Sequence, residues 1–294
     1  MNQRLFLTIL VLFCFIISYI SIAHIPIGNA ITSGKYDVPS KSSDSLDIVL
    51  KTEKGEEKLS IPVGKMLFNV IPHYDQNGSF RSFTMKLKPE LDQLYQEIGY
   101  KSRSEKTVYI YPVFTQAAYD VRGFYDYYNK KCDTSCLTVS IPKKISGSYS
   151  SSITAAFALT LLNYSSINDI DVDKNPDMLK KYDKVIVLHN EYVTQREFDA
   201  ITHHPNVVYL FPNALYAKVN TDYKKSTITL AKGHGYPDKN TRNGFGWKND
   251  NSKYEYDFKC DNWKFYPVNN GKMLNCYSNY RVLYDKSLLQ AIKN

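Results

Sequence analysis

The sequence is poor in cysteine and lacks the short motifs that usually mark hydrolases with a covalent nucleophile. Only five cysteines occur in 294 residues, and no Gly-x-Ser-x-Gly is present. The missing motif excludes the sharp nucleophile turn of α/β-hydrolases. The cysteine spacings also lack the two short knuckles on which four-cysteine zinc sites usually depend.

Long runs of basic residues are absent as well. The net charge is +8, but Lys and Arg are scattered among Asp and Glu. A nucleic-acid-binding protein normally shows a clustered basic patch and a recognisable motif, and neither is found here. We therefore expect no nucleic-acid partner. The charge favours solubility and attraction to an anionic cell surface or envelope polymer.

One long apolar run is present, over residues 5–23, and it contains no charged residue. Its length is about that of a helix crossing a bilayer. Arg4 precedes it, and positive residues tend to stay in the cytoplasm. We therefore expect a transmembrane anchor over residues 1–23 that holds the rest of the chain outside the cytoplasm. The alternative is a secretory signal cleaved after residues 21–23 or 28–30, which gives a secreted protein.

Four cysteines follow the apolar run, and an even number in an exported region predicts disulfides. Of the three pairings we favour Cys132–Cys136 and Cys260–Cys276, because each pair is close in sequence. The second closes a loop of about 17 residues, which is worth roughly 3 kcal/mol in the chain-entropy account. Two sequons, at Asn77 and Asn163, are predicted glycosylation sites.

The chain after the apolar run divides into four parts. Residues 24–45 are weakly patterned and predict a linker. Residues 46–104 predict a β-rich N-terminal extension with two hairpins. In residues 105–222 strands alternate with helices, which predicts an α/β core with three layers and an open, mainly parallel sheet. Residues 223–294 lose the helical pattern and predict a β-rich C-terminal region stapled by a disulfide.

Four segments of the core have clear local sequence patterns. Residues 184–189, KVIVLH, form the continuous apolar run typical of a central parallel strand. Residues 167–172, INDIDV, predict a second strand, and residues 206–212 predict the last strand of the core. The segment TQRE, residues 194–197, predicts a reciprocal capping box at the start of a helix.

Polar residues collect where the strand over residues 184–189 ends. In an open α/β sheet this carboxyl edge is where ligands bind. His189 and Glu191 are two residues apart, so they share a face of the extended chain and can converge on one ligand or metal. We predict a catalytic or ligand-binding role for both. The alternative is that the turn is polar only because the next helix needs caps.

These residues resemble a known pattern. The order strand, His-Asn-Glu-Tyr, helix, strand and Pro-Asn-Ala-Leu-Tyr resembles the class I glutamine amidotransferase-like fold. Within that fold it is similar to the C-terminal domain of the N,N-dimethylformamidase large subunit. The resemblance spans residues 108–219, with Asn190 where the family has an acidic residue. The matching positions are His189, Glu191, Tyr192, Asn213 and Tyr216, and residues 115–119 and 123–125 are similar to the family's first loop.

The resemblance implies a site without a covalent nucleophile. Glutamine amidotransferases place a cysteine at a sharp turn after a strand, and the corresponding residues 211–214 contain neither Cys nor Ser. Amidases of the dimethylformamidase type use iron held by tyrosine and glutamate. The resemblance therefore implies iron or zinc as the cofactor of a catalytic version. It implies Glu191, Tyr192 and Tyr216 as metal ligands, and Tyr192, Asn213 and Tyr119 as ligand-binding residues.

Two functions compete on this basis. We favour a non-catalytic cell-surface or envelope protein, anchored in the membrane, that keeps a pocket for a small ligand. The alternative is a metal-dependent hydrolase acting on a small amide C–N bond, with His189 and Glu191 in acid/base or ligand roles. Convergence of these two residues with Tyr192 and Tyr119 around an open cavity favours the hydrolase, and a cluster engaged only in capping and packing contradicts it.

Overall fold

A computed structural model describes the chain from residue 45 onward. It covers residues 45–52, 55–74, 76, 80–120, 122–143 and 150–294. The predicted anchor, nearly all of the predicted linker and the sequon asparagine Asn77 lie outside these residues. Among the helices that the structure describes, none combines the length and the apolar character needed to cross a bilayer.

The described chain is a mixed α/β structure. Its strands are β1 Ser45–Thr52, β2 Gly55–Pro62, β3 Phe68–Tyr74, β4 Phe80–Leu87, β5 Thr107–Tyr111, β6 Thr138–Ser140, β7 Ser165–Asn168, β8 Lys184–Val187, β9 Tyr192–Val193, β10 Val207–Tyr209, β11 Ala217–Asp222, β12 Thr227–Lys232, β13 Phe265–Val268 and β14 Gly271–Leu274. Its helices are α1 Asp92–Ile98, α2 Val113–Tyr119, α3 Phe124–Tyr128, α4 Ser150–Leu161, α5 Asp169–Lys174, α6 Gln195–His203 and α7 Lys286–Lys293.

A six-stranded sheet forms the centre, in the order β13-β14-β10-β8-β5-β7. All neighbouring pairs from β14 to β7 are parallel, and only the edge strand β13 is antiparallel. A mainly parallel α/β sheet was predicted and is confirmed. A second sheet, in the order β6-β12-β11-β9, packs beside it.

Strand alternation places apolar side chains on both faces of the central sheet. Along β8, Val185 and Val187 belong to one apolar core, while Ile186 and the following Leu188 belong to another. The first core includes α5 and α6, and the second includes α4 and α7. Because both faces are covered, the strand reads as an unbroken apolar run rather than an alternating one.

The order of the parallel strands defines a switch point. The parallel strands follow one another along the chain as β5, β7, β8, β10 and β14. Across the sheet the order is β7, β5, β8, β10 and β14, so the first two strands have exchanged places. The chain therefore leaves β5 toward one side of the sheet and later enters β8 on the other side. A crevice opens at the carboxyl ends of such a pair, and ligands of doubly wound sheets bind there.

The C-terminal region contributes to the central sheet. Residues 206–212 were predicted to hold the last core strand, but β14 pairs in parallel with β10, from Val207 beside Gly271 to Tyr209 beside Met273. A Cβ on Gly271 would collide with the Val207 carbonyl, so glycine is needed for this close approach. The four-residue strand is too short and too polar in sequence to be recognised as a core strand.

The segment over residues 167–172 was predicted as a strand, and only its first two residues are extended. Asn168 caps α5 with a capping box: its side chain accepts from the Asp171 N–H at 3.1 Å, and Asp171 accepts from the Asn168 N–H at 3.1 Å. The two reciprocal bonds satisfy N–H groups that a helix start leaves unpaired. These local bonds begin a helix where a strand was predicted.

The capping box predicted at α6 is only half formed. The Thr194 hydroxyl accepts from the Glu197 N–H at 3.1 Å. Glu197 does not return the bond, because its side chain turns inward and is fully buried. Inside, it lies near Asp169, whose carboxylate accepts the N–H groups of Val113 at 3.0 Å and Phe114 at 2.9 Å. Asp169 thereby fixes the start of α2.

Both predicted disulfides are present. Cys132–Cys136 spans 6.2 Å between Cα atoms, and Cys260–Cys276 spans 5.2 Å. The second disulfide joins Cys260, in the segment before β13, to Cys276, two residues after the end of β14. It therefore fixes the chain at the carboxyl edge of the central sheet.

The second sequon stays a prediction. Asn163 is half-buried, and its Nδ2 donates to the Tyr100 carbonyl at 2.8 Å.

Candidate functional site

Three adjacent parallel strands supply the candidate site at the switch point. Residue 189 follows β8, residue 213 follows β10, and Tyr119 ends the helix α2 that follows β5. Parallel strands bring their carboxyl ends to the same edge of a sheet, so these segments meet. Residues predicted from three separate stretches of sequence are thereby placed together.

His189 and Glu191 converge as their spacing predicts. Both are buried, and His189 Nε2 lies 3.3 Å from Glu191 Oε2. Backbone contacts fix the turn, since the His189 N–H donates to Ser152 Oγ at 2.8 Å and the Tyr192 N–H donates to Thr115 Oγ1 at 3.1 Å. The two ionisable side chains therefore have one defined relation to each other.

Tyr119 and Asn213 complete the inner part of the site. The Tyr119 hydroxyl donates to Glu191 Oε2 at 2.7 Å. The Asn213 amide lies 2.8 Å from His189 Nε2, and the Tyr277 hydroxyl lies 3.5 Å from His189 Nδ1. Both ring nitrogens of this histidine thus face polar groups, which fix its orientation.

The contacts of His189 Nε2 indicate where its hydrogen lies. Glu191 Oε2 accepts only, so Nε2 carries the hydrogen toward it. A 180° turn of the Asn213 amide then brings Oδ1, which otherwise has no partner, next to the same N–H. Nδ1 faces the Tyr277 hydroxyl at 3.5 Å. The carboxylate therefore places a hydrogen on Nε2.

Glu191 is a carboxylate that its neighbours keep ionised. Burial raises its pKa, but the hydrogen bond and charge of His189, the charge of His234 and the hydrogen bond from Tyr119 together lower the pKa below its ordinary value. A buried ionised carboxylate is tolerated because charge-assisted hydrogen bonds replace its water. The site therefore holds a fixed negative charge at neutral pH.

His234 is a member of the site to which the sequence analysis assigned no role. Its Nε2 lies 3.6 Å from Glu191 Oε1 and 3.3 Å from the Tyr125 hydroxyl, and its ring stacks on Tyr128 at 4.5 Å. Its side chain is 30% exposed, whereas that of Glu191 is 2% exposed. Of these two residues, His234 lies between the buried Glu191 carboxylate and the solvent.

The loop that carries His234 has an unusual backbone. Gly233, His234 and Gly235 all have positive φ, at 112°, 53° and 77°. At Gly233 an added Cβ would lie 2.9 Å from Ala217 Cα and 3.0 Å from the Tyr216 oxygen, so only glycine fits. The signal in the sequence was a histidine between two glycines immediately after a strand, a pattern typical of a side chain held by a tight turn.

The two other tyrosines predicted as ligands lie at the edge of this group. Tyr192 is fully buried, with its ring against Phe124 at 5.2 Å and parallel to the His234 ring at 6.3 Å. The Tyr216 ring meets the His234 ring edge-on at 5.8 Å. Tyr192 therefore packs behind the loop histidine, and Tyr216 stands beside it.

Two further carboxyl groups act on the outer part of the site. Burial, with the charges of Glu191 and Asp250 as further causes, raises the pKa of Glu255 to about 8. Burial and then the charges of Asp250, Glu255 and Glu191 raise the pKa of Tyr216 to about 12. At neutral pH Glu255 and Tyr216 are therefore mostly uncharged, and Glu191 carries the negative charge of the inner site.

Within the part of the chain that the structure describes, no three or more His, Cys, Asp and Glu side chains are arranged to hold a metal ion. Of the metal ligands that the resemblance implies, Glu191 already accepts a hydrogen bond from Tyr119 at Oε2, and the Tyr192 ring packs against Phe124. Both side chains are therefore engaged with other residues of the protein.

No protein-family model matches the sequence, and no curated protein is significantly similar to it.

Proposed function

We propose that this protein is a hydrolase that cleaves the C–N bond of a small, positively charged amide, on a three-layer scaffold of the glutamine amidotransferase-like kind. The observation that carries the proposal is the surroundings of Glu191. Tyr119, His189 and His234 all direct polar atoms at this one buried carboxylate, at the switch point of the sheet. Capping of the next helix does not explain why these three side chains converge on Glu191.

His234 is the residue suited to move protons in this reaction. Its Nε2 faces Glu191 Oε1, so the carboxylate orients the ring and accepts its Nε2–H. Nδ1 takes a proton from a water molecule, and the water oxygen attacks the carbonyl carbon of the amide. The C–N bond then breaks, and the same proton passes from Nδ1 to the leaving nitrogen. The products are a carboxylic acid and an amine or ammonia, which balances the added water.

We assign Tyr216 the stabilisation of the oxyanion in this reaction. Its pKa of about 12 keeps the hydroxyl protonated at neutral pH, so it can donate a hydrogen bond. Its ring contacts the His234 ring, which brings the proton donor and the proton carrier to the same side of the site. Donors directed at a developing oxyanion are commonly worth a factor of about 100 or more in rate.

The positive charge of the substrate follows from the electrostatics of the outer site. Glu191, Glu255 and Asp250 all act on this region, while the aromatic rings of Tyr119, Tyr125, Tyr128 and Tyr216 lie around His234. The charges of Glu191 and Asp250 help to raise the pKa of Glu255, and a bound cation would favour its ionised form. Aromatic faces attract a cation further, by about 0.5–2 kcal/mol each.

We also propose that the protein works outside the cytoplasm, tethered by its N-terminal apolar run. The two disulfides are compatible with an extracellular protein, because oxidising compartments are where disulfides persist. A role in binding an envelope polymer remains part of this proposal.

The test compares two amides that differ in charge alone. The chain from residue 24 is incubated with γ-aminobutyramide or with pentanamide, in which a methyl group replaces the ammonium, and ammonia release is measured. We expect kcat/KM for the cationic amide to be at least about 10-fold higher. H234Q is expected to lower it by about 100-fold or more. H203Q is the matched control, since His203 bonds only the Asp199 carbonyl at the end of α6.

One observation favours a second candidate function, a site that binds but does not react. Asn213 stands in the segment where glutamine amidotransferases carry their cysteine, and it bonds His189 instead of presenting a nucleophile. Binding of γ-aminobutyramide by the wild-type protein without any ammonia release would support this candidate and contradict the hydrolase.

A further inference from the structure

A second pocket, separate from the candidate site, opens on the four-stranded sheet. It has a volume of about 550 Å³ and lies between β11, β12, the first turn of α6 and the loop over residues 244–246. Its lining contains two lysines, Lys218 and Lys232, and no acidic side chain. The lining shares no residue with the candidate site.

The two lysines are direct neighbours across the sheet. In the register of β11 and β12, Lys218 is the partner of Lys232. Like charges directly opposite each other on antiparallel strands are destabilising. Lys218 Nζ donates to Gln195 Oε1 at 3.0 Å, a neutral acceptor that leaves its charge uncompensated. Neither lysine forms an ion pair with a residue that the structure describes.

Another lysine of the same hairpin has an acidic partner. Lys225, in the turn between β11 and β12, lies 3.7 Å from Asp222. The chain thus provides an acidic partner at the tip of the hairpin but none at the paired lysines. The same pocket also receives the N-terminal end of α6, whose dipole adds partial positive charge.

The rest of the pocket wall is rigid and partly apolar. Phe245 lines the pocket and stacks on Phe198, with ring centroids 4.1 Å apart and planes within 5°. Gly244 packs directly against β12, where a Cβ would collide with the Lys232 carbonyl. An aromatic wall beside two cations suits an organic anion better than a free inorganic ion. The volume is in the range that small-molecule sites occupy, about 300–1,000 Å³.

We infer that this pocket binds a small phosphate monoester, with the phosphate between Lys218 and Lys232 and the organic group against Phe245. A dianionic phosphate compensates both ammonium groups at once, and lysine is a common phosphate ligand. The inference is independent of the proposed hydrolase, since it depends on other residues.

The test is calorimetric titration of the protein with phenyl phosphate, inorganic phosphate and phenol at low ionic strength. We expect phenyl phosphate to bind about 10-fold more tightly than inorganic phosphate, and phenol to bind undetectably. K218Q/K232Q is expected to weaken phenyl phosphate binding at least about 10-fold. K224Q/K225Q removes the same charge from the hairpin turn and is expected to change the binding by less than about twofold.

Three results would overturn the inference. One is no binding of phenyl phosphate at millimolar concentration by a folded wild-type protein. Another is equal weakening by the two double variants, which would assign the binding to net charge alone. The third is equal affinity for phenyl phosphate and inorganic phosphate, which would remove the organic ligand. Circular dichroism of each variant separates loss of the pocket from loss of the fold.

Discussion

Glu191 and Glu197 are six residues apart and equally buried, yet their surroundings give them opposite charge states. Glu191 receives hydrogen bonds from Tyr119 and His189, and its pKa is lowered. Burial, with the charges of Asp169 and Asp173 added, raises the pKa of Glu197 well above its ordinary value. Partners, not depth, decide whether a buried carboxyl group is ionised.

The surroundings of Glu197 are those of a neutral acid. The Thr194 N–H and the Asn190 amide lie close enough to lower its pKa slightly, but neither makes a hydrogen bond of good geometry to its carboxyl oxygens. Among the described residues, no positive charge contributes to lowering the pKa of Glu197. The segment from β8 into α6 thus carries two different carboxyl groups. Glu197 is buried and uncharged inside the fold, and Glu191 is ionised and faces the proposed site.

The largest effect is expected from moving His234 away from Glu191. G233A places a Cβ against Ala217 at a backbone φ of 112°, so the loop must shift. We expect the rate of amide hydrolysis to fall about 100-fold, comparable with loss of a general acid–base residue. G235A is the matched control, since φ is also positive there but an added Cβ meets nothing within 4 Å. Equal losses in both variants would show that strain, and not the position of His234, decides the rate.

The next largest effect concerns stability. Removing Cys260–Cys276 with a double serine substitution is expected to lower the free energy of unfolding by about 3 kcal/mol, since the bond joins residues 16 apart. Removing Cys132–Cys136, which joins residues four apart, is expected to cost less. Urea unfolding of both variants gives the two values. Loss of Cys260–Cys276 is also expected to lower the hydrolysis rate, because Tyr277 follows Cys276 and its hydroxyl contacts His189.

A smaller effect is expected from Y119F. The substitution removes the 2.7 Å hydrogen bond to Glu191 and leaves the ring in place. Hydrogen bonds to charged groups contribute about 1.5–3 kcal/mol, so we expect the hydrolysis rate to fall by about 10- to 100-fold. Y127F, in the neighbouring aromatic group, is the control, and a loss as large as that of Y119F would contradict a specific role for the bond.

The smallest effect is the pH dependence of stability, which has opposite signs for the two glutamates. The pKa of Glu191 is lowered in the folded state. The stability it contributes is therefore present above the ordinary value of 4.5 and is lost as the pH falls through the lowered pKa. The pKa of Glu197 is raised, so its contribution is full below 4.5 and is lost as the pH rises through the raised pKa.

Urea unfolding between pH 3 and pH 9 measures both limbs. E191Q is expected to flatten the acid limb, and E197Q is expected to reduce the decline on the alkaline side. The reduction is partial, because burial raises the pKa of Asp169 in the same direction. The same change in both variants would contradict the difference between the two carboxyl groups.

The sequence was sufficient for features that arise from local patterns. The apolar run before His189 predicted β8, and the two-residue spacing predicted that His189 and Glu191 converge. The pairing of the cysteines followed from their proximity. In each case the relevant partners lie within a few residues or on neighbouring strands.

Features that depend on distant contacts were missed. His234 joins Glu191 only because β12 pairs with β11 and β11 pairs with β9, a relation that no short segment contains. Glu197 matched a capping box in sequence, but the interior position of its side chain depends on α5 and α2. β14 was missed because its partner, β10, lies more than 60 residues earlier.

The most direct test of the account is the rate of ammonia release from γ-aminobutyramide by the wild-type protein, E191Q and E197Q at neutral pH. Both substitutions replace a buried carboxyl group with an amide of nearly the same shape. We predict that E191Q loses activity by at least about 100-fold, while E197Q retains it within about twofold, because Glu197 is already uncharged. Equal activity in the two variants, or no activity in the wild-type protein, would contradict a catalytic role for Glu191.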